Sequence, residues 1–225
     1  MSRPATRVIA YVDGFNLYFG LRSQGLKHLY WLDVPRLVAR LLDHGERLVA
    51  TKYFTSRVSD PPEKGQRQNE YLEALEAQNA LQVLYGVYQA HERRCSACGH
   101  TWQMHSEKMT DVNIAVELIT DAHRDLFDVA ALISADADLA PAISAVRALF
   151  PEKHIRVMFP PGRGSVRLEQ LVHEKRRNSP WALRECQLPD EVIARDGYPK
   201  RRPTEWMLPG DGRTDDDPTD QPGSE

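Results

Sequence analysis

Two short apolar runs in this chain each end in carboxylates. Residues 8–12 are followed by Asp13, and residues 129–134 are followed by Asp136 and Asp138. Because the carboxyl ends of parallel strands meet at one edge of an open α/β sheet, we expect these acids to converge there. Clustered carboxylates repel one another unless a cation lies between them. The pattern therefore predicts a cage of carboxylates around a metal ion at this edge.

Three further residues extend the acidic set. Asn16 follows Asp13 by three residues and can turn its amide toward the same point, and Ser134 can hydrogen-bond a ligand or orient a carboxylate. Asp111 opens a predicted helix. Carboxylate and amide oxygens suit Mg²⁺ or Mn²⁺, which retain waters and bridge substrate phosphates. The chemistry that this set predicts is metal-assisted phosphodiester hydrolysis.

Each aspartate also has a purely structural interpretation. Asp138 can cap the helix that follows it, and Asp111 can be an ordinary acidic residue of a first helical turn. Either interpretation is sufficient for one aspartate taken alone. The joint occurrence of acids at two strand ends and one helix start favours the metal site.

Strands alternate with helices along the chain. Apolar, β-branched and aromatic runs predict strands at 7–12, 47–56, 81–88, 128–134 and 154–159. Helical periodicity and capping signals predict helices at 15–22, between Asp33 and Gly45, and at 63–79, 110–123, 139–149 and 165–175. The alternation predicts an α/β fold with a mainly parallel sheet of about five strands and helices on both faces.

The composition limits the cellular setting. The chain has 225 residues, 41% of them hydrophobic, and a net charge of −3, which suits one domain plus a tail. Three cysteines do not make a disulfide framework, so we expect a reducing compartment. The polar N-terminus does not read as a signal peptide, and no run approaches the roughly 20 apolar residues of a membrane span. We therefore expect a cytoplasmic protein, with a mostly disordered tail at 187–225.

Three motifs, in order, resemble those of one family. Residues 11–17 (YVDGFNL) resemble the opening motif of NYN domains, the bacterial LabA-like branch of the PIN-like nucleases. Residues 107–118 (EKMTDVNIAVEL) are similar to the middle motif, and residues 134–139 (SADADL) to the third, usually written SGDSDF. Ala135 and Leu139 are mild departures from that pattern. The resemblance covers about 7–180.

The resemblance implies a PIN-like, Rossmannoid three-layer α/β/α domain over 7–180 and a metal-dependent endoribonuclease that uses Mg²⁺ or Mn²⁺. The residues that match the motifs then take roles at the metal. The catalytic and metal-binding set is Asp13, Asp111, Asp136 and Asp138, with Asn16, Ser134 and Lys108 in support.

A cysteine–histidine segment at 91–105 interrupts the pattern. Cys95 and Cys98, followed by Gly99, form the knuckle that aims two thiolates at one zinc ion. His100 and His105 are the expected remaining ligands. The candidates also include His91, Cys186 or a second chain sharing the zinc, and the alternative is a reduced surface pair. A structural zinc would fold a small flap beside Asp111, which is also a candidate homodimer surface.

Basic and aromatic side chains predict RNA, single-stranded or structured, as the partner. The basic stretches are Lys52, Arg57, Lys64 and Arg67, and later Arg163, Arg167, Lys175, Arg176 and Arg177; the candidate stacking residues are Tyr18, Tyr53 and Trp102. Gly162–Ser165 is a weak candidate for a phosphate cradle. The alternative for the basic residues is a set of solvated helix faces. The competing functions are a non-catalytic RNA-binding or regulatory module and, less well matched, another phosphate enzyme such as a phosphatase.

Overall fold

The computed structural model describes residues 5–78, 81–177 and 179–208, and their side chains except those of 88–91 and 102–107. The strands are β1 (Thr6–Asp13), β2 (Glu46–Thr55), β3 (Leu81–Tyr85), β4 (Val87–Arg94), β5 (Thr101–Lys108), β6 (Val129–Ile133), β7 (His154–Phe159), β8 (Glu174–Arg177), β9 (Glu191–Ile193) and β10 (Pro199–Arg201). The α-helices are α1 (Gly14–Ser23), α2 (Val34–Arg40), α3 (Pro62–Gln78), α4 (Thr110–His123), α5 (Ala140–Leu149), α6 (Val166–Leu171) and α7 (Pro180–Glu185).

A six-stranded parallel sheet forms the centre, in the order β3-β2-β1-β6-β7-β8. This confirms the predicted mainly parallel α/β fold. The additional strand is β8, whose first residues were predicted to end a helix. Its charged sequence is tolerated because it lies at the sheet edge. There Glu174 pairs with Arg156 on the neighbouring strand at 2.5 Å, and Arg176 with Asp43 at 2.7 Å.

The core lies on both faces of the sheet. Alternate residues of β1 point in opposite directions, so Val8, Ala10 and Val12 pack in a cluster with α1, α2, α3 and α7. Ile9 and Tyr11 pack in a second cluster with α4, α5 and α6. The nearly continuous apolar character of β1 is therefore explained by burial on both sides. The three-layer α/β/α arrangement is confirmed.

The order in which strands are added to the sheet reverses between β1 and β6. From β1 the chain proceeds through β2 and β3 to one side, and β6, β7 and β8 complete the other. The parallel register pairs Val12 with Ile133, so Asp13 and Ser134 leave neighbouring strands at the same edge. Crevices at such switch points are the usual ligand sites of open α/β sheets.

The predicted third strand, 81–88, ends early and is followed by a hairpin. β3 stops at Tyr85, and β4 and β5 then pair antiparallel, with Val87 opposite Lys108. Gly86 lies at the base of the hairpin, where a Cβ would stand 2.6 Å from the carbonyl oxygen of Lys108. The close approach of these two backbone segments explains why glycine interrupts the apolar run.

Part of the segment predicted as a tail is folded. Residues 187–208 contain β9, β10 and a 3₁₀ turn at Thr204–Trp206. Leu188, Val192 and Trp206 are buried in the first core cluster. Three apolar anchors thus hold a segment whose composition is otherwise polar, and residues 209–225 lie outside the described residues. No described helix is long and apolar enough to cross a membrane.

Candidate metal centre at the sheet edge

Asp13 lies at the sheet edge and is hydrogen-bonded to both neighbouring elements. It is the last residue of β1 and also caps α1, and its carboxylate accepts hydrogen bonds from the backbone N–H of Asn16 at 2.9 Å and the hydroxyl of Ser134 at 3.0 Å. Only 4% of the residue is exposed. The carboxylate is therefore fixed in orientation by donors from both neighbouring elements.

The loop after β6 is tied to the same point. The Ser134 hydroxyl accepts from the Asp136 N–H at 3.0 Å, and the Asn16 side-chain oxygen accepts from the Ala135 N–H at 3.2 Å. The Asp136 carboxylate accepts from the Asp138 N–H at 2.9 Å. One hydroxyl thus links Asp13 to the loop that carries Asp136, although the two aspartates are far apart in sequence.

Asp111 lies in the first turn of α4 and belongs to the same electrostatic neighbourhood. Partial burial, followed by the charges of Asp136, Asp13 and Asp138, raises its pKa from 3.8 to about 6. Burial also raises the pKa of Asp13, which the hydrogen bonds from Asn16 and Ser134 oppose. The charges of the other three predicted acids therefore all act on Asp111.

A buried ion-pair network holds α4 against the sheet. The Lys52 ammonium lies 2.5 Å from both Glu117 and Asp121 of α4, and the Tyr11 hydroxyl donates to Asp121 at 2.7 Å. Lys52 belongs to the first basic stretch, for which we predicted contact with RNA. This is wrong, because its ammonium is buried and engaged with carboxylates of α4. Its position on β2 instead helps to fix the helix that carries Asp111.

The acids do not form a closed coordination shell. Within the described part of the chain, no three His, Cys, Asp or Glu side chains are arranged as a ready metal site. The donor set nevertheless fits Mg²⁺ or Mn²⁺. These ions keep several waters and bind through one or two carboxylates together with substrate phosphates, and a cation would offset the repulsion that raises the pKa of Asp111.

Two basic residues are connected with the acids, Lys108 by its position three residues before Asp111 and Arg163 through its charge. Lys108 is exposed and is separated from α4 by Met109, whose φ of 75° turns the chain into the helix. The charge of Arg163 lowers the pKa of Asp13 and so opposes the increase that burial causes. The sequence placed Arg163 in a basic stretch but did not connect it with the acids. The signal was available, because Gly162–Gly164 follows β7 and so reaches the same sheet edge.

Three of the five residues of the later basic stretch pair with acids outside the site. Lys175 pairs with Glu169 at 2.5 Å, Arg176 with Asp43 at 2.7 Å and Arg177 with Glu169 at 3.7 Å. These three residues lie on the edge strand β8, not on a helix as the alternative of solvated helix faces supposed. Ser165 caps α6 by accepting from the Leu168 N–H, so the predicted phosphate cradle has an ordinary capping role.

Of the three aromatic residues predicted to stack on bases, the two whose side chains are described differ in how accessible their rings are. Tyr53, proposed to stack on bases, is only 6% exposed, and its ring would lie 2.7 Å from a Cβ at Gly14. Tyr53 lines the edge of an open cavity, but its ring is packed under the first turn of α1 and offers little free surface for stacking. Tyr18 is half-buried and lines an open cavity. The side chain of Trp102 lies outside the described residues.

The cysteine pair lies at the tip of the β4–β5 hairpin. The Cys95 N–H donates to the His100 carbonyl at 2.8 Å, and hydrogen bonds from the backbone of Cys98 and Ala97 lower the pKa of the Cys95 thiol. Cys98 and His100 are exposed, whereas the side chains of His91 and His105 are not among those described. Cys186 is buried in the first core cluster, which removes it from the candidate ligands. The zinc site stays a prediction.

Comparisons with known proteins agree with this architecture. The profile of the NYN domain family matches residues 7–163. A protein of unknown function from Vibrio parahaemolyticus shares the fold, with a TM-score of 0.54 at 19% identity over 80% of this chain and 97% of that one. A Pseudomonas putida protein named 6-hydroxy-3-succinoylpyridine 3-monooxygenase is 26% identical, over 89% of this chain and 75% of its own length. NYN domains are generally nucleases. The chain belongs to the NYN domain family.

Proposed function

We propose that the protein is a metal-dependent endoribonuclease that hydrolyses RNA phosphodiester bonds at the edge formed by β1 and β6. The observation that carries the proposal is the hydrogen-bonded connection from Asp13 through Ser134 to Asp136 at the switch point of the sheet. Asp111 adds a carboxylate whose pKa is raised first by burial and then by the charges of Asp136, Asp13 and Asp138. Membership of a family of nucleases supports the same reaction class.

The chain's own residues have distinct parts in this proposal. Asp13, Asp111, Asp136 and Asp138 would hold Mg²⁺ or Mn²⁺, which supplies Lewis-acid activation of the attacking water and neutralises charge at the scissile phosphate. Ser134 and Asn16 fix the positions of the carboxylates through hydrogen bonds. Lys108 and Arg163 place positive charge at the margin of the acidic set, where it favours the approach of a phosphate backbone.

The decisive experiment compares RNA cleavage by the wild type and by Asp136→Asn. A mixed RNA pool is incubated with Mn²⁺, Mg²⁺ or EDTA. The substitution is conservative in structure because an amide oxygen can still accept the N–H of Asp138. At Asp13 the same change places an NH₂ group against one of two donors, so Asp136 gives the clearer result. We expect cleavage by the wild type in Mn²⁺ or Mg²⁺ only, and none by the variant.

The matched control is Asp190→Asn. Asp190 is an exposed aspartate whose only described ion pair, with Arg202, is 3.4 Å long, and we expect this variant to cleave at the wild-type rate. If purified Asp136→Asn cleaves as fast as the control, the assignment of the site is wrong. Cleavage that is unchanged by EDTA contradicts the metal dependence.

The alternative is an RNA-binding or regulatory module with the same fold. Its signature in the same experiment is metal-independent RNA binding without cleavage in either metal. The Pseudomonas putida relative bears the name of a monooxygenase, a different reaction class. At 26% identity we do not transfer that reaction, and the proposal depends on the acidic residues of this chain.

The hairpin tip is proposed to hold a structural zinc ion. The thiol of Cys95 already accepts backbone hydrogen bonds that favour its thiolate, as a zinc ligand requires. Elemental analysis of the purified protein tests this. We expect stoichiometric zinc in the wild type and its loss in Cys98→Ser, and wild-type protein without zinc contradicts the proposal. The cytoplasmic location and the homodimer stay predictions.

A further inference from the structure

A cavity of about 540 Å³ opens beside the acidic edge, between α1, α3 and the C-terminal segment. Its volume is within the range of about 300–1,000 Å³ typical of small-molecule sites. Gly14 and Phe15, which follow Asp13 directly, form part of its wall. The cavity and the proposed metal centre therefore share the first turn of α1, which Asp13 caps.

The lining of the cavity is dominated by aromatic rings in mutual contact. Ring centroids are 5.3 Å apart for Tyr18 and Phe19, 5.0 Å for Tyr18 and Tyr30, and 5.5 Å for Tyr30 and Trp206. Phe15 stacks on Phe19 at 6.1 Å. Part of this surface is open, since Phe19 is 41% exposed. An aromatic wall of this kind suits a planar ring by stacking.

The rim of the cavity is mainly basic. Arg22, Lys27 and Lys64 are exposed there, and Arg67 pairs with Glu205 at 3.0 Å. Asp60 is the acidic residue among the lining residues. A ligand that combines a flat ring with an anionic group matches both the wall and the rim.

We propose that this cavity binds one unpaired base of a single-stranded RNA substrate, with the neighbouring phosphates on the basic rim. The inference rests on the proposed function and deepens it, because the cavity wall continues into the turn that carries Asp13 and a strand bound there would run toward the proposed metal centre. Base–aromatic stacking is tolerant of sequence, whereas a duplex cannot insert a paired base. The cavity thus selects single strands over duplexes.

The C-terminal segment completes the site. Trp206 lies beyond residues 7–163, the part matched by the family profile. It packs on Tyr30 and Tyr71, with the Tyr71 centroid at 6.3 Å, and forms part of the cavity floor. This base pocket therefore depends on a feature of this chain that lies outside the matched NYN region.

The test measures binding separately from cleavage. The anisotropy of a fluorescein-labelled 12-nucleotide single-stranded RNA is titrated with protein in EDTA, so that no metal-dependent hydrolysis occurs. The variants are Tyr18→Leu, Phe19→Leu and Lys64→Gln, with Tyr198→Leu as a matched control because Tyr198 is 69% exposed and outside the cavity. Thermal unfolding establishes that each variant is folded.

We expect Tyr18→Leu to weaken binding by about 5-fold to 150-fold, from the energy of one base stacked on an aromatic ring. Phe19→Leu should weaken it in the same direction, Lys64→Gln should reduce its salt dependence, and Tyr198→Leu should bind like the wild type. A duplex of the same sequence should bind more weakly. Equal affinities for the wild type and both aromatic variants would overturn the inference.

Crosslinking of the wild type avoids any dependence on folded variants. The complex of the protein with RNA that contains 4-thiouridine is irradiated, and the crosslinked residues are mapped by mass spectrometry. Adducts on the α1 segment around Tyr18 support the base pocket, and adducts confined to other surfaces refute it. Nicotinate serves as a competing heteroaromatic acid: displacement of bound RNA supports a shared ring site, whereas nicotinate binding without RNA binding overturns the RNA base as occupant.

The two proposals fail differently. Loss of pocket-dependent binding with metal-dependent cleavage intact would refute the base pocket and leave the nuclease function. Pocket-dependent RNA binding without cleavage in Mn²⁺ or Mg²⁺ would refute the nuclease function and leave the base pocket.

Discussion

Replacing Asp111 by Asn should stabilise the metal-free protein at neutral pH. In the folded protein, burial and the charges of Asp136, Asp13 and Asp138 raise the pKa of Asp111 from 3.8 to about 6. The unfolded chain releases this proton near pH 3.8, whereas the folded protein retains it until about pH 6. Because the folded state binds more protons in this window, the free energy of unfolding falls as the pH rises through it.

The expected magnitude follows from the shift. A change of about 2 pKa units corresponds to about 3 kcal/mol. Asp111 is half-buried, so solvent screening reduces the effect to about 1 kcal/mol. Above pH 6 the free energy of unfolding of Asp111→Asn should exceed that of the wild type by this amount. Below pH 3.8 the two proteins should be equally stable. For a chain of this size, about 1 kcal/mol raises the melting temperature by about 2–4 °C.

The assay is urea unfolding in EDTA at several pH values between 4 and 8, for the wild type, Asp111→Asn and the control Asp190→Asn. The stability difference between Asp111→Asn and the wild type should grow from pH 4 to pH 6 and then level off. Added Mn²⁺ should remove or reverse it, since a bound cation stabilises only the protein that retains the carboxylate.

Two results would refute this reasoning. The first is an Asp111→Asn variant no more stable than the wild type at pH 8 in EDTA, which would mean that burial and the neighbouring charges do not destabilise the Asp111 carboxylate. The second is a gain of the same size at pH 4 and pH 8, which would trace the effect to packing rather than charge. The control should stay within about 0.5 kcal/mol of the wild type throughout.

Three further outcomes are expected in urea unfolding. Lys52→Met should cost about 3–5 kcal/mol, because it leaves the Asp121 carboxylate buried without its cation; a loss below 1 kcal/mol would show that the network does not anchor α4. Trp206→Ala should cost about 3–5 kcal/mol if the C-terminal segment is part of the core, and no loss would contradict its packing. Met109→Gly should gain about 0.5–1 kcal/mol, since Met109 has a φ of 75°, and a net loss would argue against a left-handed turn before α4.

The order of the main elements of the central sheet could be predicted from the sequence because it depends on local patterns. The two-sided burial of β1 makes its run almost wholly apolar, and its end at Asp13 is marked by the turn into α1. The helix at 110–123 and the strand at 154–159 have the same bounds in the structure. In each case the periodicity of the residues themselves specifies the element.

The strand β8 and the folded segment at 187–208 could not be predicted in this way. Their residues are mostly charged or polar, and they are ordered by partners distant in sequence, such as Asp43 and Arg156 for β8 and Tyr71 for Trp206. Such partners become neighbours only when the sheet has assembled. Local propensity carries no information about them.

From the sequence alone we could predict which residues are candidates for binding a hard cation, because aspartates at the ends of apolar strands form a local pattern. The contacts between these side chains depend on the fold. The strand order places β6 beside β1, so that a serine hydroxyl joins Asp13 to Asp136, and the burial of Lys52 assigns it to α4 instead of RNA. The aromatic cavity likewise exists only because α1 and Trp206 are brought together across the fold. Contacts between distant segments depend on the global packing of the chain, which short-range periodicity does not encode.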